Sequence, residues 1–219
     1  FRRVLFRSIE LGVPFSDPVA DGPVIQASSQ RALELGMTLD GSLAIAAAAG
    51  VDVPLVLFSY LNPLLAAGPD VLTRAKAAGV SGLLVTDLPV GSDPRREAWL
   101  GGGPLAFVRL VAPTTPDARM AEIAHHGSGF VYLISRLGVT GERADVPADL
   151  PDTVARLRRV CTLPICVGFG VATPDHAASV GAVADGVVVG SALVRAADRS
   201  IDEAVGLVRG MREALDRGA

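Results

Sequence analysis

The chain has 219 residues, a formal net charge of −3, and a composition that is 50% apolar and only 5% aromatic. That apolar content excludes a disordered chain and gives a core built from Ala, Val, Leu and Ile. The small negative charge gives no electrostatic reason to bind nucleic acid or an anionic membrane. No apolar run reaches the roughly 20 residues that span a bilayer, and the opening residues do not read as a signal peptide. A cytoplasmic protein with one domain over residues 9–219 is expected.

The segment 1–8, FRRVLFRS, carries three arginines in eight residues with no cap, turn or helical period, and runs straight into the strand-like IELGV. It matches the conceptual translation of a common short-read sequencing adapter. The expectation is a non-native segment joined to a chain that lacks its first β/α unit. The alternative is a genuine basic strand.

Seven short apolar runs follow, at 8–13, 54–60, 81–88, 105–111, 129–135, 164–170 and 185–191, alternating with helix-like stretches. Their continuous apolarity suits strands buried on both faces of a parallel sheet. Thr115-Pro116-Asp117 and Thr173-Pro174-Asp175 read as helix starts with Thr as cap and Pro at the first helical position, and 200–203 (SIDE) as a capping box. Gly36, Gly50, Gly79 and Gly127 mark helix ends. Strict βα alternation leaves a doubly wound sheet or a closed barrel. A dinucleotide-binding sheet would carry G-x-G-x-x-G after its first strand, and ELGVPFSDP stands there instead. Polar and glycine residues gather after many strands, as in a (β/α)₈ barrel, whose site lies at the C-terminal strand ends. The fold predicted is a TIM barrel with seven parallel strands present.

The loop 10–23, ELGVPFSDPVADGP, is longer than the few residues that usually join strand to helix, and it holds three acids. Glu10 lies within an apolar strand, where burial raises a carboxyl pKa and lets the group both give and take a proton near neutrality. A structural carboxylate paired with Arg is the plainer reading. Asp21, before Gly22-Pro23, is either a site carboxylate or a helix cap. Gly141, Gly170, Gly190 and Ser191 come from three loops and together predict a phosphate cradle, with glycine admitting the anion to backbone N–H groups and a helix N-terminus facing it. Cys161 and Cys166 read as reduced core thiols, no metal site is predicted, and His125, His126 and His176, in helical patterns near turns, are not expected to be catalytic.

Several of these segments together form a longer pattern. IELGVPFSDPVADGPVIQ (9–26), SYLNP (59–63), VTDLP (85–89), YLISRLGVTG (132–141), GFGV (168–171) and VGSALV (189–194) resemble, in order, the motifs of tryptophan synthase α subunits. The resemblance implies a lyase that cleaves indole-3-glycerol phosphate to indole and glyceraldehyde 3-phosphate. It implies that Glu10 is the catalytic acid/base and that Asp21 contacts the indole N–H. Tyr132 would line the site, Tyr60 and Phe169 would contact substrate or shape its pocket, and Thr140 would belong to a loop closing over it. Gly141, Gly170, Gly190 and Ser191 would bind the phosphate. No cofactor is implied in this chain. Pyridoxal phosphate is expected in a partner β subunit of an α₂β₂ complex, contacted by the loop of Phe15, Ser16, Asp17, Pro18 and Val19. Phe130, Leu137 and the stretch 141–149 depart from the motif and imply altered loop closure. Another phosphate-binding barrel is the nearest competing enzyme. The indole-glycerol-phosphate synthase reaction is usually served by a catalytic Lys, and the single lysine, Lys76, falls in a helix pattern. A purely regulatory or inactive phosphate-binding barrel is the alternative outside catalysis.

Overall fold

The computed structural model describes residues 7–134, 147–168 and 170–217. The seven predicted apolar runs become seven strands. In chain order the elements are β1 (Ile9–Gly12), α1 (Pro23–Glu34), α2 (Leu39–Ala48), β2 (Leu55–Ser59), α3 (Leu61–Ala66), α4 (Val71–Ala77), β3 (Val80–Val85), α5 (Pro94–Gly101), β4 (Ala106–Val111) and α6 (Asp117–His125). They continue with β5 (Val131–Ile134), α7 (Leu150–Arg158), β6 (Ile165–Gly168), α8 (Pro174–Gly181), β7 (Gly186–Val187), α9 (Ser191–Arg199) and α10 (Ile201–Arg217). The expectation for the N-terminal octapeptide falls on residues 1–6, outside the described residues, apart from exposed Arg7 and Ser8.

Local chemistry sets most helix starts. The Thr173 hydroxyl accepts from His176 N–H ahead of Pro174, and the Asp93 carboxylate accepts from Arg96 N–H ahead of Pro94. Thr115 differs from its expectation. Helix α6 is preceded by Pro116 as its cap residue, and the Thr115 hydroxyl accepts from Ala112 N–H instead. A Thr two residues before the helix can close the preceding turn on itself, and that local bond won.

All pairings are parallel and the strand order is sequential, β1 to β7. The pleat then sorts side chains into two sets. Val56, Leu84, Val108 and Tyr132 point to the concave side and pack with Phe58, Leu110, Phe130, Ile134 and Val188. The alternate residues face the helices in two separate cores. Leu55, Leu57, Leu83, Val85 and Phe107 pack with residues of α2 to α5, and Val111, Val131, Leu133, Ile165 and Val167 with residues of α6, α7, α8 and α10. Leu57, Leu83, Phe107, Leu133 and Ile165 are essentially inaccessible. Each such side chain contributes roughly 1.5–3 kcal/mol.

β1 and β7 are the two edges of this sheet. A cavity of about 1170 Å³ begins on the concave side and continues between these edges, with Ile9 and Leu11 on one side and Gly186 and Val187 on the other. Helix α1 has no buried residue, and its half-buried Ile25 and Ala32 line the cavity, as do Val208 and Met211 of α10.

A candidate active site at the carboxyl ends of the strands

Glu10 is the second residue of β1, in register with Val56 of β2, so the pleat turns it to the concave side with Val56 and Tyr132. Desolvation lifts its pKa from 4.5 to about 7. Its Oε1 is buried and has no hydrogen-bond partner among the described residues. A carboxyl group held this way carries a proton about half the time at neutral pH, and its unsatisfied oxygen faces space a ligand can fill. Its place inside an apolar strand, legible in the sequence, is the cause of the raised pKa. The plainer reading, a pair with Arg, has no counterpart among its described contacts.

Asp21 lies in the loop between β1 and α1 and is only 5% exposed. Burial raises its pKa, and a hydrogen bond from the Tyr60 hydroxyl partly offsets the rise. That bond is 2.9 Å from Tyr60 Oη to Asp21 Oδ2, and the same hydroxyl accepts from Ala20 N–H at 2.9 Å. Helix α1 takes Gly22 as its cap residue and no side chain caps it, so Asp21 is not the cap. Tyr60 is 3% exposed, and Phe15 stacks on it with ring centroids 5.2 Å apart. Tyr60 therefore holds Asp21, which lines the cavity, without lining it itself. Val19, in the same loop, points outward at 77% exposure.

Tyr132 on β5 crosses in front of β6. A Cβ built on Gly168 would sit 2.1 Å from the Tyr132 hydroxyl, so only glycine leaves room for the phenol. Its pKa is raised by burial and by the neighbouring Glu10 and Cys166. In the sequence Gly168 is only the first glycine of GFGV (168–171); its service to Tyr132 needs a register that the paired strands reveal. Gly168→Ala should destabilise the protein by about 1–3 kcal/mol through overpacking, read from urea-unfolding midpoints. An unchanged midpoint would mean that Tyr132 moves aside freely.

Gly170, Gly190 and Ser191 line the same cavity as Glu10, Asp21 and Tyr132. Gly170 has φ +93, a conformation that favours glycine. Gly190 precedes α9, no side chain caps that helix, and a Cβ on Gly190 would meet nothing within 4 Å. The first N–H groups of α9 thus begin beside open space, the arrangement that receives an anion. Gly141, Thr140 and Phe169 lie outside the described residues, as does Leu137. Cys161 and Cys166 are free thiols, and burial pushes Cys166 up to about 11. Among the described residues no group of three His, Cys, Asp or Glu side chains is placed to hold a metal ion, and no helix is long and apolar enough to cross a membrane.

The family model described as tryptophan synthase alpha chain matches residues 6–216. The chain belongs to the tryptophan synthase alpha chain family. Curated relatives with that description include one from Desulfatibacillum aliphaticivorans, 46% identical over 197 residues, which are 89% of this chain and 74% of the relative. Another, from Caulobacter vibrioides, is 49% identical over 191 residues, 85% of this chain and 69% of the relative. Among solved structures, tryptophan synthase of Mycobacterium tuberculosis superposes with a TM-score of 0.87 at 34% identity, covering 95% of this chain and 81% of that one. The α subunit from Pyrococcus furiosus gives 0.82 at 40% identity, covering 95% and 86%. These likenesses make the seven-stranded parallel sheet that of an α/β barrel family, as the sequence predicts.

Proposed function

We propose that this chain is a carbon–carbon lyase of tryptophan biosynthesis that cleaves indole-3-glycerol phosphate to indole and glyceraldehyde 3-phosphate. The observation that carries it is one cavity lined by Glu10, with a pKa of about 7, by Asp21 and by the start of α9, which no side chain caps. Family membership supports it.

The two carboxyl groups divide the chemistry. Protonated Glu10 delivers its proton to indole C3 while Asp21, as the carboxylate, takes the N–H proton, giving an indolenine whose C=N bond is an electron sink. The Glu10 carboxylate then takes the proton of the hydroxyl next to C3. That oxygen forms the aldehyde carbonyl, the carbon–carbon bond breaks, and its electron pair restores the ring as nitrogen recovers its proton from Asp21. Both carboxyls end as they began, and substrate atoms are conserved. Every step is a proton transfer or a bond scission that these side chains serve, so the scheme calls on no cofactor in this chain. Gly170, Gly190 and Ser191 hold the phosphate with backbone N–H groups and the positive end of α9. Gly141, Thr140 and Phe169 complete the site in this proposal, as the phosphate, loop and ring contacts that the family motif assigns them.

The partner proposed is the pyridoxal-phosphate β subunit, in an α₂β₂ assembly, contacted through the loop 15–19. Outward-pointing Val19 supports that role, whereas Phe15 is committed to Tyr60.

The test is release of indole from indole-3-glycerol phosphate by the purified chain, alone and with a β subunit. Indole is expected in both, faster in the complex, and none in either overturns the proposal. Gly190→Ala places a methyl group in the open space before α9 and should weaken binding of glycerol phosphate about tenfold, with little effect on unphosphorylated indole analogues. Calorimetric titration of both ligands checks it, and equal affinities in variant and parent remove the cradle.

A further inference from the structure

Tyr60 is both the residue that holds Asp21 and the cap residue of α3, and no hydrogen bond from its own side chain satisfies the first amides of that helix. The Leu61 N–H donates instead to Asp87 Oδ1 at 2.8 Å, from the loop after β3. That loop is itself anchored. The buried Arg109 guanidinium donates to Leu88 C=O at 3.2 Å and to Glu97 Oε2 at 3.0 Å, and Glu97 Oε1 accepts from Gly91 N–H at 2.7 Å. Thr86 N–H reaches back to Ser59 C=O at 3.1 Å. The backbone on either side of Tyr60 is thus tied to one loop, by Ser59 before it and by Leu61 after it.

We propose that Asp87 is a positioning residue for the lyase reaction: by capping Leu61 N–H it fixes the backbone of Tyr60, whose hydroxyl in turn fixes the Asp21 carboxylate. A rigid chain of bonds matters here because Asp21 must meet the indole N–H closely. A misplacement of about 1 Å can cost on the order of a hundredfold in rate. Asp87 does not line the cavity, and its carboxylate accepts from Leu61 N–H, so Tyr60 is the link through which it reaches Asp21. The proposal rests on the lyase reading of the site.

Four variants and one spectroscopic probe test it. Asp87→Ala should lower kcat for indole release about tenfold with KM within about twofold of the parent. Asp87→Asn keeps an acceptor oxygen and should restore most of the rate. In a Tyr60→Phe background the relay is already cut, so adding Asp87→Ala should cost less than about twofold more. The chain has two tyrosines. In 3-fluorotyrosine-labelled protein, the ¹⁹F resonance lost in Tyr60→Phe belongs to Tyr60, and Asp87→Ala should shift or broaden that resonance while leaving the Tyr132 resonance in place. A Tyr60 signal unmoved by Asp87→Ala, or rate losses that multiply fully in the double variant, overturns the proposal. The fluorine measurement needs no turnover. If the parent releases no indole, the lyase reading fails while this measurement still decides the link from Asp87 to Tyr60.

Discussion

Glu10→Gln should cut indole release by about a hundred- to ten-thousandfold, the usual contribution of a general acid/base, and should also make the protein more stable at pH 8. The amide keeps the shape of the carboxyl group but cannot cycle a proton between C3 and the hydroxyl. The stability effect follows from linkage. Folding raises the pKa of Glu10 from 4.5 to about 7, so the folded state holds the proton more tightly than the unfolded chain does. Burying Glu10 is therefore tolerated well below pH 4.5, becomes increasingly unfavourable as pH rises from 4.5 to 7, and costs a constant roughly 3 kcal/mol above that. The neutral amide avoids the charge, so the variant should gain up to that amount at pH 8 and little at pH 4. Denaturant unfolding at the two pH values measures the difference, and a gap that does not vary with pH would mean that Glu10 ionises normally. In the parent, kcat should fall on the alkaline side as Glu10 loses the proton it must deliver. It should fall on the acid side as Asp21, whose pKa is also raised, gains one.

Glu97→Ala should destabilise the protein by about 3–5 kcal/mol, the largest stability loss expected from any single polar change described here. The Arg109 and Glu97 side chains are 5% and 9% exposed and 3.0 Å apart. Desolvation lowers the Arg109 pKa and the Glu97 carboxylate works against that fall. Arg109 also stacks on Phe107, with its guanidinium carbon 3.8 Å from the ring centroid. Removing Glu97 leaves a cation in an apolar wall and frees Gly91 N–H from its acceptor. Exchanging both partners, as Arg109→Met with Glu97→Leu, removes the buried charge and should recover most of the loss. Thermal and urea unfolding check both, and a double variant no better than Glu97→Ala would assign the loss to the loop bonds.

Strand positions were legible in the sequence because β2 to β6 are largely buried on both faces and every strand reads as an apolar run, and sequential parallel order is what βα alternation imposes. Glu10 was legible for the same reason, as a charge inside such a run. The role of Tyr60 was only half legible: its place after β2 was plain, but its bond to Asp21 spans 39 residues and depends on how the loop 10–23 folds back. The Arg109 and Glu97 pair could not be foreseen. Arg109 interrupts an apolar strand much as Glu10 does, yet the pleat turns it to the helices, and only the packing of α5 on β4 supplies its partner.

The same strand holds a consequence for folding. On its helix-facing side β4 gives Phe107 to one apolar core and Val111 to the other, with charged Arg109 between them. Two cores joined across a polar seam need not melt as one. Each half is made of consecutive βα units whose contacts are local in sequence, so each can form a cooperative foldon of its own. Amide hydrogen exchange should then sort the strands into two classes of protection, β2 with β3 and β5 with β6, with the change of class falling within β4 at Arg109.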